Sequence, residues 1–110
     1  MRIEIERVRE WISWNVEKLT EPEDVAIHLH VSLHQLRTEF SWSCGTPLSH
    51  YIRSEKISKA AELIRTSDLR WFEIVARLRL GRPDNASRLF KRQLGTTVRE
   101  YKRAHGNYHA

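Results

Sequence analysis

Apolar positions recur at helical spacing through the middle of the chain. From Pro47 to Arg65, aliphatic, aromatic and alanine residues follow one another at steps of three and four, with no Gly and no further Pro. Proline is tolerated in the first turn of a helix, because the N–H that it lacks has no partner there. The pattern predicts one long helix over residues 47–65.

The sequence on either side of this helix is repeated. The pattern Phe-x4-Gly-Thr-x4-Tyr-x-Arg begins at Phe40 and returns at Phe90, fifty residues later. Upstream of Leu36 the offset is forty-nine, with His30 aligned to Arg79, so the second copy carries one extra residue, as a slightly longer turn would produce. Two copies are too few for an open solenoid, and they predict two related binding units.

Each copy has the pattern of a helix-turn-helix. In the first copy, a short helix over residues 22–29 precedes a turn and a second helix over residues 33–43. The small Ala26 suits two short helices that cross steeply through a tight turn. In the second copy the corresponding helices cover residues 71–78 and 83–94. The second helix of each copy is the candidate recognition helix.

Two more segments complete the predicted fold. Residues 3–18 carry one apolar stripe and predict the first helix, and Thr20 with Glu23 is a capping-box signature for the next one. A final basic helix follows Thr97 and covers residues 99–103. The fold class is all-α with about seven helices.

Two helix-turn-helix subdomains are joined in this prediction by a central linker helix. The predicted boundaries are residues 1–46 for the first subdomain, 47–66 for the linker and 67–110 for the second.

The charge favours a polyanionic partner. The net charge is +5 and the sequence pI is about 9.8. The basic residues are concentrated at one end, because residues 65–110 carry 11 Lys and Arg against 4 Asp and Glu, whereas residues 1–64 carry 8 against 10. We therefore expect the basic surface on the second copy.

Other function classes find little support. The single Cys44 excludes an intrachain disulfide and suits the reducing cytoplasm, and no apolar run approaches the ~20 residues of a membrane span. His28, His30 and His34 fall on different helix faces without partners at ligand spacing, so we expect no metal. No catalytic arrangement or phosphate loop is found in the sequence, and we expect neither enzyme activity nor a cofactor.

These motifs resemble the DNA-binding region of the AraC/XylS family of transcription regulators. In the first copy the family pattern is matched by Val25-Ala26, Leu36, Phe40, Cys44-Gly45 and Tyr51. In the second it is matched by Ile74-Val75, Ser87-Arg88-Leu89-Phe90-Lys91 and Gly95-x-Thr97-x3-Tyr101-Lys102. The resemblance covers roughly residues 7–103.

The resemblance implies a regulator that binds double-stranded promoter DNA. The chain is similar to the small stand-alone members, which bind one asymmetric site as monomers, although a fragment of a larger regulator would look the same. It favours an activator, with RNA polymerase as a possible second partner. Two recognition helices would enter successive major-groove segments about 34 Å apart.

Five residues depart from the family pattern, among them Arg70 in place of the usual Ser/Thr cap and Ala86 in place of the usual aromatic residue. Arg79 stands where the family usually has Gly, and a left-handed backbone there would cost on the order of 1 kcal/mol, so we expect either that Arg79 avoids it or that Gly81 takes over the turn. Pro83 and Asp84 make the start of the second recognition helix unusual. Arg79, Pro83 and Asp84, together with the negative charge balance of the first copy, motivate an alternative. This is a protein-interaction adaptor on the same fold that acts on RNA polymerase or another regulator and binds DNA weakly or without specificity.

The outward faces of the recognition helices supply the candidate DNA contacts. Arg can bind guanine O6/N7 and Asn can bind adenine N6/N7, each good pair adding ~1–3 kcal/mol of discrimination. The predicted base readers are His34, Arg37 and Thr38 in the first copy and Asn85, Ser87 and Arg88 in the second. The predicted phosphate contacts are Arg53, Lys56, Lys91, Arg92, Lys102 and Arg103. Trp42, near the end of the first recognition helix, is expected to be exposed and to touch a partner or a sugar-phosphate edge.

Overall fold

Helices make up nearly all of the regular structure. The computed structural model describes residues 3–18 and 21–106, in which there are seven helices and no strand. They are α1 (Ile5–Asn15), α2 (Pro22–Leu29), α3 (Leu33–Cys44), α4 (Leu48–Thr66), α5 (Trp71–Leu78), α6 (Pro83–Leu94) and α7 (Val98–His105). The predicted all-α class with about seven helices is confirmed.

The chain divides into two units whose boundary falls inside the longest helix. Unit 1 comprises residues 1–55 and unit 2 residues 56–110, so each unit takes part of α4. None of the helices in the described ranges combines the length and the apolar character needed to cross a membrane.

The core of unit 1 is built around Phe40 of α3. Its ring lies edge-on to that of Tyr51, with 5.1 Å between the ring centroids. Each fully buried aliphatic or aromatic side chain contributes roughly 1.5–3 kcal/mol to stability. The buried cluster consists of Val8, Ile12, Val25, Ala26, Leu36, Phe40, Leu48 and Ile52.

Unit 2 repeats this arrangement around Phe90 of α6. Its ring lies edge-on to both Tyr101, at 5.4 Å, and Trp71, at 5.5 Å. The Phe-to-Tyr spacing of the sequence repeat therefore preserves one aromatic pair in each unit. The buried cluster consists of Ile57, Ala60, Ala61, Leu63, Ile64, Ile74, Leu78 and Phe90.

An arginine from another helix reaches the tyrosine hydroxyl of each pair. In unit 1, Arg9 Nε donates to Tyr51 Oη at 3.4 Å, and in unit 2 an Nη1 of Arg65 donates to Tyr101 Oη. Burial raises the pKa of Tyr51 above its ordinary value, while the hydrogen bond from Arg9 acts in the opposite direction. Both arginines thus tie a neighbouring helix to the aromatic pair.

The turn of each helix-turn-helix is left-handed at a residue other than glycine. His30 has φ 56° and Arg79 has φ 54°, each as the C-cap of the first helix of its motif. We expected that Arg79 would avoid this conformation or that Gly81 would adopt it instead. This expectation is wrong, because Arg79 is itself left-handed and Gly81 is left-handed as well, at φ 84°. Gly81 is the residue that has no counterpart in unit 1, and the longer turn predicted for the second copy is confirmed.

Two helices differ appreciably in extent from the predicted ones. The first helix covers Ile5–Asn15 rather than residues 3–18, and the last continues to His105. The N-cap of α2 is Glu21, whose backbone N–H donates to Asp24 Oδ2 at 3.0 Å. The predicted cap, Thr20, lies outside the described residues.

Candidate nucleic-acid interface

Helix α3 buries one side and leaves the other open. It begins at Ser32, whose hydroxyl accepts a hydrogen bond from the Gln35 backbone N–H at 3.0 Å. Leu36 and Phe40 are fully buried and fix the rotation of the helix. The three predicted base readers, His34, Arg37 and Thr38, are all exposed on the outer side. Their spacing of three and four residues places them next to one another.

Arg37, the cation on the exposed face of α3, already forms an ion pair. Arg37 Nη2 lies 3.7 Å from Glu23 Oε1 of α2, and both side chains are about half exposed. An exposed ion pair of this kind stabilises the fold by only ~0–1 kcal/mol, so DNA can compete for the guanidinium. Sequence reasoning considered Glu23 only as a capping residue, and their separation of fourteen residues gave no helical signal for the pair.

Helix α6 is oriented in the same way. Pro83 opens it, and Ala86 and Phe90 are fully buried. Asn85 and Arg88 are exposed, as predicted for base readers.

Ser87 differs from the other candidates. It is half-buried, and its hydroxyl donates to the Pro83 carbonyl oxygen at 2.8 Å, where Trp71 Nε1 also donates at 3.1 Å. The Ser87 proton is therefore engaged within the unit, which leaves its oxygen as an acceptor.

The carboxylate at the start of α6 is also partnered. Asp84 Oδ1 lies 3.4 Å from Arg82 Nε, and both side chains are exposed. A cation beside the carboxylate offsets its repulsion of phosphate groups. Pro83 occupies the first turn without disturbing the helix, because no intrahelical N–H partner is lost there. The two unusual residues are thus compatible with a regular recognition helix.

Five of the six predicted phosphate contacts are accessible. They are Arg53 of α4, Lys91 and Arg92 of α6, and Lys102 and Arg103 of α7. Within residues 3–18 and 21–106, no carboxylate forms an ion pair with Arg88, Lys91 or Arg92. These cations are therefore available to an external anion.

Lys56 is the exception and requires a correction. It is 4% exposed, and its Nζ donates to the Arg79 carbonyl oxygen at 3.4 Å. Arg79 is the C-cap of α5, and the carbonyl groups at a helix C-terminus attract a cation. An ammonium group buried in this way does not reach a phosphate. Lys56 is a structural residue of unit 2 rather than a DNA contact.

Trp42 lies on the same helix as the first set of base readers. Its side chain is 90% exposed, as expected from the sequence. It follows His34 and Thr38 at four-residue steps, which places all three along one face of α3.

In the part of the chain that the structure describes, no group of three or more His, Cys, Asp or Glu side chains could hold a metal ion.

The chain belongs to the AraC/XylS-type helix-turn-helix family. A family model described as a helix-turn-helix domain matches residues 25–104, from within α2 to within α7. This confirms the family resemblance that the repeated motifs indicated.

Similar proteins are transcription regulators. The putative regulator YkgA of Escherichia coli K12 is 30% identical over 98 residues, covering 89% of this chain and 41% of YkgA. The transcriptional activator AarP of Providencia stuartii is 26% identical over 104 residues, covering 94% of this chain and 77% of AarP. The F1 operon positive regulatory protein of Yersinia pestis is 29% identical over 99 residues, covering 89% of this chain and 33% of the relative.

Solved structures share the same fold. The C-terminal domain of AraT, a response regulator from Geobacillus stearothermophilus, has a TM-score of 0.80 and 26% identity, covering 94% of this chain and 87% of that domain. The DNA-binding domain of AdpA, solved with a target DNA, has a TM-score of 0.78 and 22% identity, covering 91% of this chain and 90% of that domain. Together with the family match and the relatives, this makes the chain a helix-turn-helix domain of the DNA-binding, transcription-regulator type.

Proposed function

We propose that this chain is a sequence-specific regulator that binds an asymmetric, bipartite DNA site, with α3 reading one block of bases and α6 the other. The observation that carries the proposal is the repeated presentation of one helix. Each unit buries the Leu/Ala and Phe positions of its recognition helix and exposes the residues beside them. Because the exposed residues differ between the units, the two blocks differ in sequence.

Base reading is assigned to the exposed polar residues of each recognition helix. In unit 1 these are His34, Arg37 and Thr38. In unit 2, Arg88 and Asn85 have the donors for guanine and adenine, and Ser87 serves as an acceptor. Recognition helices of this motif contact bases through their N-terminal residues, where most of these side chains lie.

Phosphate binding is assigned mainly to unit 2. Residues 56–110 carry 13 Lys and Arg against 5 Asp and Glu, whereas residues 1–55 carry 6 against 9. Four of the five retained phosphate contacts are cations of α6 and α7 in unit 2. The fifth is Arg53 in unit 1. These contacts hold the protein on the duplex without reading its sequence.

The proposal includes activation of transcription by a monomer, with RNA polymerase as the second partner. Support comes from AarP and the F1 operon regulator, which are named as an activator and a positive regulator. The adaptor alternative rested on Arg79, Pro83 and Asp84 and on the excess of acidic residues in the first copy. The three residues are accommodated in a regular helix-turn-helix and no longer favour it, whereas the negative balance of unit 1 remains.

Selection of bound duplexes from a random DNA pool, at two salt concentrations, tests the proposal. We expect enrichment of two short, different sequence blocks at a constant separation. Enrichment of one block would reduce the other unit to a backbone clamp. If the pool is retained without enrichment and is lost at the higher salt, the protein does not bind a specific sequence, and the adaptor alternative is favoured.

A further inference from the structure

The two recognition helices differ at one pair of equivalent positions. Trp42 is the tenth residue of α3 and Arg92 the tenth residue of α6, and each helix ends at a left-handed glycine three residues later. Both side chains are exposed. Where α6 carries Lys91 and Arg92, α3 carries Ser41 and Trp42. An aromatic side chain therefore stands in unit 1 where unit 2 has a candidate phosphate contact.

The face of α3 is poor in positive charge. Arg37 is the only Lys or Arg in this helix, and it is paired with Glu23 at 3.7 Å. Helix α6, by contrast, carries Arg88, Lys91 and Arg92 without such a partner among the described residues. Unit 1 thus has little electrostatic attraction for DNA at its recognition helix and requires another source of affinity.

An indole can supply that affinity without charge. Its flat ring offers a large apolar surface, and its Nε1–H is a hydrogen-bond donor. In the sugar-phosphate backbone, deoxyribose presents C–H groups and phosphate presents acceptor oxygens. Contacts of this kind displace no condensed counterion, so their contribution does not fall as the salt concentration rises.

We propose that Trp42 is an uncharged contact to the DNA backbone, with its ring packed on a deoxyribose and its Nε1–H donated to a phosphate oxygen. The inference rests on the proposed function and deepens it. It assigns unit 1 a salt-independent hold on the duplex, while the cations of unit 2 carry most of the salt dependence. The location of Trp42, on one line with His34 and Thr38, favours DNA over a protein as the partner.

The experiment measures affinity against salt for matched variants. Fluorescence anisotropy of a labelled duplex is followed between about 50 and about 200 mM salt, with a selected site and a scrambled duplex. The variants are Trp42→Ala, Trp42→Phe, Trp42→Lys and, as the equivalent position in unit 2, Arg92→Ala. Because Trp42 is 90% exposed, we expect all four proteins to keep the wild-type urea midpoint.

The expected results separate the two positions. Trp42→Ala weakens binding about tenfold at every salt concentration and equally on both duplexes, because apolar area is lost and no charge changes. Trp42→Phe, which keeps a ring and loses the donor, loses less. Trp42→Lys steepens the plot of log affinity against log salt by about 0.9, and Arg92→Ala flattens it by the same amount.

Three outcomes would overturn the inference. If Trp42→Ala binds with wild-type affinity, the indole does not contact DNA, and a protein partner becomes the alternative for its exposed ring. A flatter salt plot for Trp42→Ala would contradict an uncharged contact. A greater loss of affinity on the selected duplex than on the scrambled one would mean that the ring contacts a base rather than the backbone.

Failure of the proposed function gives a different pattern. In that case the wild-type protein binds the selected and the scrambled duplex equally well, even if Arg92→Ala flattens the salt plot, because phosphate contacts remain in nonspecific binding. If the wild-type protein prefers the selected duplex while every Trp42 variant binds as the wild type, only the inference about Trp42 fails.

Discussion

At the scale of single residues, the left-handed C-caps are the least ordinary feature. His30 and Arg79 close the first helix of each motif at φ 56° and 54°, and a left-handed conformation costs a non-glycine residue roughly 1–2 kcal/mol. In both units the next residue donates its backbone N–H to a carbonyl oxygen inside the preceding helix, Val31 to Ala26 at 3.1 Å and Leu80 to Val75 at 3.0 Å. These hydrogen bonds fix the turn before the recognition helix and thereby hold His30 and Arg79 in the strained left-handed conformation.

Replacing either cap with glycine should stabilise the protein. We expect His30→Gly and Arg79→Gly each to raise the free energy of unfolding by about 0.5–1 kcal/mol, because glycine adopts φ near 55° without steric cost. Urea unfolding measures the change. Gly81→Ala is the reverse control, since a methyl group at φ 84° should destabilise by about 1 kcal/mol although open space surrounds it. A loss of stability in both glycine variants would contradict the strain argument.

The role of Lys56 gives a second prediction at this scale. Lys56→Ala should lower the free energy of unfolding by about 1–3 kcal/mol, because the Arg79 carbonyl group loses its donor and a buried stem is removed. Lys59→Ala, three residues away, removes only a pair with Glu62 at the surface and should cost less than about 1 kcal/mol. The salt dependence of DNA binding should not change in Lys56→Ala. A flatter dependence in a folded variant would return Lys56 to the phosphate contacts.

At the scale of the helices, proline and glycine made both ends of α6 predictable. Pro83 and Gly95 delimit α6, and its predicted range agrees with the structure. Helix α1 ends at Asn15, where no glycine or proline stands, and the predicted end was three residues too far. The outward faces followed from periodicity alone, since each buried Phe fixes the rotation of its helix.

The periodicity of apolar positions did not predict contacts between helices. The burial of Lys56 depends on the end of α5, twenty-three residues away, and the Arg37–Glu23 pair joins two helices through a folded turn. A lysine on an amphipathic helix looks the same in sequence whether its head group is in water or beside a helix C-terminus. The candidate site was therefore predictable as a set of faces and not as a set of partners.

The Arg37–Glu23 pair leads to a prediction about sequence preference. Arg37→Ala should relax the preference at one base pair of the site, reducing discrimination there by about 1–3 kcal/mol. Glu23→Ala should strengthen binding by a few-fold, since it releases the guanidinium and removes a negative charge. Selection from a random pool gives the preference, and titration gives the affinity. Ser43→Ala, exposed on another side of α3, is the control and should change neither quantity.

An unchanged preference profile for Arg37→Ala would remove this residue from the base readers. If Glu23→Ala changed the preferred sequence instead of the overall affinity, the carboxylate would be a reader in its own right. The two single variants therefore distinguish a cation that reads a base from one that only balances a neighbouring charge.

At the scale of the whole molecule, the uneven division of charge between the two units leads to a prediction about DNA binding. Residues 56–110 carry an excess of 8 positive charges, and residues 1–55 an excess of 3 negative ones. We therefore expect long-range attraction to DNA to come from unit 2 and the charge of unit 1 to oppose it. Affinity should consequently respond to salt mainly through substitutions in α6 and α7.

This division predicts the total salt dependence. Five retained phosphate contacts give a slope of about −4.5 in log affinity against log salt, so binding should weaken about 500-fold between 50 and 200 mM. Replacing Lys91 and Arg92 together by Ala should flatten the slope by about 1.8, whereas Arg53→Ala should flatten it by about 0.9. Anisotropy titrations at four or more salt concentrations measure each slope. If the double variant kept the wild-type slope, α6 would not face phosphate, and the attraction of unit 2 would have to act through another of its surfaces.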